Sequence, residues 1–170
     1  LLICHPFAPH AAEVRQFAKK NLADLAVADY KQWVAGFVTS VRSIMGKRGR
    51  MAIVLLEDET GKVEIVVSGN LLEQVGADLK PDQILLFDAK VAKDEYNGGQ
   101  GLRIHAEGVY RLDHARTAFA RSLSLTVGPD CDIDRLKTLL QAHRQADNRI
   151  PFSIRYRNQQ ISAQLRPGHD

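Results

Sequence analysis

The spacing of apolar residues changes once near the start of the chain. Over residues 9–28 apolar side chains form an approximate stripe with spacings of three to five positions, and Pro9 stands where a first helical turn accepts proline. The stripe consists of Val14, Phe17, Leu22 and Leu25. This pattern predicts a helix over residues 9–28, within a helical lead-in at residues 1–32.

From residue 33 onward, apolar and polar positions alternate, which is typical of β-strands. The predicted strands cover residues 33–42, 51–56, 63–67, 84–91 and 102–112. A short helix is predicted over residues 71–79, between the third and fourth strands. The turn DETG joins strands two and three, with Gly61 expected at positive φ, and NGGQG joins strands four and five.

Five strands with one helix after the third match the order of an OB-fold, a small Greek-key barrel. We therefore predict a mixed, mainly β chain with this barrel at residues 33–112. Gly36 is the expected bend point in a first strand long enough to serve both halves of the barrel.

The pattern after the barrel predicts a second domain. Residues 113–121 are expected to form a helical connector, and residues 122–170 a small, incomplete α+β domain of βαββ order. Its strands are predicted at residues 123–127, 152–157 and 161–166. Asp132 is the expected cap of its helix. Because the chain starts with Leu1 and ends at a polar PGHD, we expect it to be a piece of a longer protein.

Charge adds a local feature to this picture. The net charge of the 170 residues is only +3, so any electrostatic footprint has to be local. Residues 33–112 contain ten Lys and Arg against eleven Asp and Glu, a net of −1. Four cations nevertheless fall within nine residues that contain no acid: Arg42, Lys47, Arg48 and Arg50.

These cations lie at the loop between the first and second strands. In OB-folds this loop borders the oligonucleotide groove, where cations neutralise phosphates without regard to base sequence. Glycines at positions 46 and 49 would let the loop adapt to a bound strand. A solvated charge run that only aids solubility is the alternative interpretation.

Single-strand binders usually stack bases on aromatic rings. The aromatic residues of the predicted barrel are Trp33, Phe37, Phe87, Tyr96 and Tyr110. Phe37 and Phe87 have aliphatic neighbours and are assigned to the core. Tyr96, beside the NGGQG turn, is the predicted stacking residue, and Arg103 just beyond it is a predicted phosphate or stacking contact.

No pattern of catalytic residues is recognisable. Glu57, Asp58 and Glu59 fall in a predicted hairpin turn and are interpreted as solvated turn residues. The six histidines form no HExxH motif, and NGGQG lacks the Lys-Ser/Thr ending of a phosphate loop. We therefore expect no catalytic residue, metal or cofactor here. The two cysteines have no metal or redox spacing, and no leader or membrane span is apparent, which suggests a cytoplasmic protein.

Several ordered motifs resemble the α subunit of bacterial DNA polymerase III. The stretch VAGFVTSVRSIMGKRGRMAIVLLEDETGKVEIVV is similar to the OB region of that family, which shows a T-K-R-G-x-x-M loop and an L-x-D-x-[ST]-G hairpin. Here these motifs are Gly46–Met51 and Leu56–Gly61, followed by an aromatic-x-G-G turn at Tyr96–Gly99. LLICHPF and RLDHAR resemble the flanking segments of the family.

The resemblance implies a parent enzyme that extends primed DNA with dNTPs and Mg²⁺, with its catalytic carboxylates located before Leu1. It implies that the OB module holds single-stranded template. It also implies that the following domain contacts the τ subunit of the clamp loader, with other polymerase III holoenzyme subunits as further partners.

Two other functions remain open from the residues alone. One is the OB anticodon-binding module of a class II aminoacyl-tRNA synthetase, which shares a basic first loop and a D-x-x-G hairpin. The other is a protein-docking scaffold within the replisome, which the scattered arginines of residues 122–170 permit.

Overall fold

The computed structural model describes residues 6–46, 49–94, 101–143, 150–157 and 162–165. The chain divides into two compact units, Leu1–Ala115 and Arg116–Asp170. The strands of the first unit are β1 (Gln32–Gly46), β2 (Gly49–Glu57), β3 (Lys62–Ser68), β4 (Ile84–Lys93) and β5 (Leu102–Arg111). Its helices are α1 (Ala8–Val14), a 3-10 helix (Leu22–Asp24), α2 (Gly69–Val75) and α3 (Leu112–Phe119), which ends in the second unit.

The five strands form a closed barrel in the order β1-β2-β3-β5-β4. Strands β3 and β5 pair in parallel, and the other described neighbours pair antiparallel. Helix α2 lies between β3 and β4 in the chain. The predicted OB-fold is confirmed.

Strand β1 closes the barrel by exchanging partners along its length. Residues 32–37 pair with β4, and β1 pairs with β2 from Phe37 to Gly46. A Cβ at Gly36 would lie 3.0 Å from the Glu57 carbonyl oxygen and 3.1 Å from the Leu56 Cβ. Glycine therefore allows the close approach of β2 where the partners change. The register irregularity of β1 lies between Val38 and Ser40, and the bend at Gly36 stays a prediction.

The barrel interior is filled by alternate residues of all five strands. Fully buried members include Val38, Val54, Leu56, Ile65, Val67 and Phe87. The assignment of Phe87 to the core is thus confirmed. Helix α2 ends at Val75, four residues before the predicted end, and Leu79 turns into this interior instead.

A second apolar cluster covers the outside of β1 and β4 rather than the interior. Phe7, Val14 and Ala18 of the lead-in pack there with buried residues of the barrel and of α3. Leu22 and Leu25, in contrast, belong to the interior cluster. The prediction of one helix over residues 9–28 was wrong, because its apolar residues pack in two different places and α1 ends at Val14.

Asp58 is a buried turn residue, only 3% exposed. Its Oδ1 accepts hydrogen bonds from the Thr60 amide (2.7 Å), the Thr60 hydroxyl (2.6 Å) and the Gly61 amide (3.0 Å). The prediction of solvated acids was therefore wrong for Asp58. Gly61 does not take the predicted positive φ, because this carboxylate holds the turn instead.

The same carboxylate ties the lead-in to the barrel. Its Oδ2 accepts a hydrogen bond from the Leu22 amide (2.9 Å), and Arg15 Nη2 lies 3.5 Å from it. Burial alone would raise the pKa of Asp58, but the bonds from Thr60, Leu22 and Gly61 outweigh it and lower the pKa. The residue is consequently held ionised.

The second unit has the predicted βαββ order. Strand β6 (Leu123–Val127) is followed by α4 (Ile133–Ala142), β7 (Phe152–Arg157) and β8 (Ser162–Leu165). β7 pairs in parallel with β6 and antiparallel with β8. Asp132 Oδ1 accepts from the Arg135 amide at 3.0 Å, so the predicted helix cap is confirmed.

Asp58→Asn is expected to lower the free energy of unfolding by about 2 kcal/mol, because an amide nitrogen would face backbone donors that need an acceptor. Urea unfolding followed by circular dichroism measures this. Glu59→Gln removes the same charge from an exposed neighbour and should change stability little. Equal stabilities for both variants would contradict the structural role of Asp58.

The pH dependence of this difference has a defined sign. Because folding lowers the pKa of Asp58 below its ordinary value of 3.8, its stabilisation is fully present above that value and is lost as the pH falls through the folded-state pKa. The difference in the free energy of unfolding between wild type and Asp58→Asn should therefore become smaller as the pH is lowered. A constant gap down to about pH 2 would contradict this assignment.

Candidate nucleic-acid interface

The outer face of β2, β3 and β5 is built by residues that alternate with the barrel core. Side chains on either side of each position point inward and are buried, so the intervening ones face outward. The strand registers place one residue from each of the five strands side by side, and this line of five residues is here called the outer row. The outer row consists of Arg42, Ile53, Val66, His105 and Lys90.

The centre of the outer row is apolar and its ends are cationic. Ile53 and Val66 are half-buried, and the neighbouring outward positions Met51 and Leu55 are half-buried as well. Arg42 and Lys90 are exposed. OB-folds bind oligonucleotides on the face formed by their second and third strands, which here are β2 and β3.

The paired strands β1 and β2 extend as an arm to Gly46, which lies opposite Gly49. Only positions 47 and 48 fall between the paired ends. The predicted site residues at these positions, Lys47 and Arg48, lie outside the described residues. Residues 42–45 are exposed, and Met45 is 79% exposed. The prediction that cations gather at the end of this arm therefore rests on the sequence for positions 47 and 48.

Arg42 and Arg50 lie on opposite faces of the arm. Arg42 is paired with Ile53 on the outer face, whereas Arg50 is paired with Met45 and shares a face with Ser43. Arg50 Nε donates a hydrogen bond to Ser43 Oγ at 3.0 Å. The structure thus separates two cations that lie close together in the sequence.

Arg42 also has an acidic neighbour. Its Nη2 lies 2.7 Å from Glu64 Oε1, with both side chains more than half exposed. Glu64 stands two strands away, beside the outer row. This ion pair compensates part of the charge that the sequence assigns to the groove, although solvent screens such pairs strongly.

Two further predicted site residues lie at the β4–β5 end. Arg103 is exposed on the outer face, two positions before His105 on the same strand. Tyr96 lies outside the described residues. The Asp94 amide donates to the Gly101 carbonyl oxygen at 3.2 Å, and Gly101 takes a φ of +112°, which favours glycine.

The other aromatic candidates lie away from the outer row. The rings of Trp33 and Tyr110 contact each other at 5.5 Å between centroids with a tilt of 47°, and Phe37 joins them in the cluster beneath the lead-in. The sequence pattern assigns Phe37 to the core, but it is only half-buried and packs against the cluster outside the barrel rather than in the interior.

Motif reasoning missed His105 as a site residue. It stands between buried Ile104 and Ala106, so its ring faces outward beside Val66. Ser68 Oγ and His105 Nε2 are 2.9 Å apart, within hydrogen-bonding distance. The alternation of apolar and polar residues along β5 could have indicated that His105 faces outward. Its pairing with Ser68 could not be predicted, because it depends on the parallel register of β3 and β5.

Acids compensate the cations on the β4–β5 side. Lys31 Nζ lies 2.7 Å from Glu107 Oε2, and Lys90 Nζ lies 2.6 Å from Glu107 Oε1. The hydrogen bond from Lys31, followed by that from Lys90, lowers the pKa of Glu107 to about 2. Glu107 therefore stays charged and offsets this end of the outer row.

Among the described residues, no group of three His, Cys, Asp or Glu side chains could hold a metal ion. Nor does the described part of the chain contain a helix with the length and hydropathy needed to cross a membrane.

Comparison with protein families finds a match that covers the barrel. Residues 32–112 match the family model described as OB-fold nucleic acid binding domain. These bounds coincide with the observed barrel from the start of β1 to the start of α3.

Comparison with individual proteins extends beyond the barrel. The chain is 49% identical over 95% of its length to DNA polymerase III subunit alpha of Neisseria meningitidis serogroup A, and 30% identical over 96% to that of Pseudomonas aeruginosa. It spans 14% of the length of each of these relatives. The second OB-fold domain of replication protein A from Methanococcus maripaludis matches 54% of the chain and 92% of its own, at 17% identity and a TM-score of 0.40.

Glu64→Gln is expected to tighten binding of a single-stranded oligonucleotide roughly twofold, because it frees Arg42 and removes an anion beside the outer row. Fluorescence anisotropy at fixed salt measures the change. Glu73→Gln in α2 removes the same charge at an exposed position and serves as the matched control. Weaker binding by Glu64→Gln would contradict the placement of the ligand on this face.

Proposed function

We propose that the barrel binds single-stranded template DNA during replication. Residues 32–112 match the family model described as OB-fold nucleic acid binding domain, and nearly the whole chain matches a segment of DNA polymerase III alpha subunits. The observation that carries the proposal is the outer row, an apolar centre with cations at both ends on the face that OB-folds use for oligonucleotides.

The dimensions of this face suit an extended strand. Neighbouring β-strands are about 4.8 Å apart, so Arg42 and His105, three strands apart, are separated by roughly 14 Å along the outer row. Phosphates would lie near the arm and near Arg103, while bases contact the half-buried aliphatic residues. Such binding depends on charge and stacking rather than on base identity.

The proposed role of this segment is to hold DNA and not to catalyse. We assign the extension of primed DNA with dNTPs and Mg²⁺ to other parts of the longer polymerase chain. The division is based on the match of this chain to only 14% of the length of polymerase alpha subunits. A replicative role would also place the protein in the cytoplasm.

The test is titration of a labelled dT oligomer with the 170-residue chain over a range of salt concentrations. Wild type should bind with an affinity that falls as salt rises. Lys47→Ala/Arg48→Ala/Arg50→Ala should weaken binding and flatten the log–log salt slope by about one unit for each phosphate that is no longer neutralised.

Two results would contradict the proposal. One is an identical binding curve for wild type and the triple variant. The other is a preference for folded tRNA over oligo-dT, which would favour the anticodon-binding alternative. A variant with Lys19, Lys20 and Lys80 changed to Ala removes the same charge elsewhere and controls for net charge.

For the second unit we infer a protein contact, with the τ subunit of the clamp loader as its partner. Large apolar side chains are exposed there, with Leu123 and Leu139 each 58% and Ile133 51% exposed. The scattered arginines of this unit would supply polar contacts.

The partner is tested by pull-down of purified τ subunit. Wild type should retain τ, and Leu139→Asp should release it while oligo-dT binding persists. Retention of τ by the variant, or no capture by wild type, would contradict the assignment.

A further inference from the structure

His105 lies in the outer row between Val66 of β3 and Lys90 of β4. Ile104 and Ala106, on either side of it, are 1% and 2% exposed and point into the barrel. The imidazole therefore faces outward, next to Val66 on the parallel strand β3. Among the described residues of the outer row, His105 alone carries a ring.

The ring is also held in place. Ser68 Oγ lies 2.9 Å from His105 Nε2, and Ser68 projects outward from the end of β3 because Val67 before it is fully buried. Which atom donates depends on the ring tautomer, but either arrangement restrains rotation of the imidazole. A restrained ring loses less conformational freedom when a ligand stacks on it.

The surroundings of the ring suit a base rather than a phosphate. Val66 beside it, and Ile53 one strand farther along the outer row, are half-buried aliphatic side chains. Lys90, its neighbour on β4, is engaged by Glu107 at 2.6 Å. A phosphate here would lie close to that carboxylate, whereas the flat face of an unpaired base would cover apolar surface.

On these grounds, and resting on the proposed function, we infer that His105 is the stacking platform of the groove and that Ser68 positions its ring for one unpaired base. The base-stacking role that the sequence analysis predicts for Tyr96 is thus given to His105 on the barrel wall. Arg103, two residues earlier on the same face, would then contact the adjacent phosphate.

The test compares three variants in anisotropy titrations with dT oligomers. His105→Ala should weaken binding roughly fivefold or more, since stacking on a ring contributes about 1–3 kcal/mol per base. His105→Phe keeps a ring and should remain within about twofold of wild type. Ser68→Ala should weaken binding less than His105→Ala does. His10→Ala, an exposed histidine of α1, should bind as wild type does.

A second readout separates stacking from charge and from loss of fold. The salt slope should be the same for His105→Ala and wild type, because every phosphate contact is kept. An oligomer with abasic sites should bind both proteins equally. Thermal unfolding of each variant should match wild type.

Three results would overturn the inference. His105→Ala could bind dT as tightly as wild type. His105→Lys could restore binding where His105→Phe does not, which would indicate a phosphate contact. Wild type could fail to bind dT at all, which would remove the proposed function as well; the first two results leave it intact.

Discussion

Strand β1 serves two partners, and the rest of the barrel depends on that exchange. It leaves β4 and continues on β2 at Phe37, beside a glycine where a Cβ would lie 3.0 Å from the Glu57 carbonyl oxygen. The exchange closes the barrel and aligns the outward residues of five strands into the outer row. It also sends the far end of β1 beyond the core as an arm. The outer row and the arm thus both result from the change of partner of strand β1 from β4 to β2.

The lead-in is part of this unit and is not a loose tether. Asp58 joins the β2–β3 turn to the Leu22 amide, while Phe7 and Val14 cover the outside of the barrel. This cover occupies Trp33 and Tyr110, the aromatic pair that could otherwise bind bases. The ligand contact that we propose therefore lies on the outer row, where a histidine lies next to aliphatic residues.

Alternation and turn residues were sufficient to predict the barrel, because each strand buries every second side chain and the position of helix α2 defines the strand order. The βαββ order and the Asp132 cap followed from equally local patterns. What could not be predicted depends on distant partners. Asp58 is buried by a segment 36 residues away, and Arg42 meets Glu64 only once two registers are known. The same registers place Arg42 and Arg50 on opposite faces, which their closeness in sequence does not reveal.

The central claim is that unpaired DNA lies on the outer row. An NMR titration of the ¹⁵N-labelled chain with a short dT oligomer tests it most directly, residue by residue. Amide chemical-shift changes are expected to concentrate on Ile53, Val66 and His105, with smaller changes in the arm beside them. Shifts confined to the lead-in face around Trp33, or to residues 116–157, would contradict it.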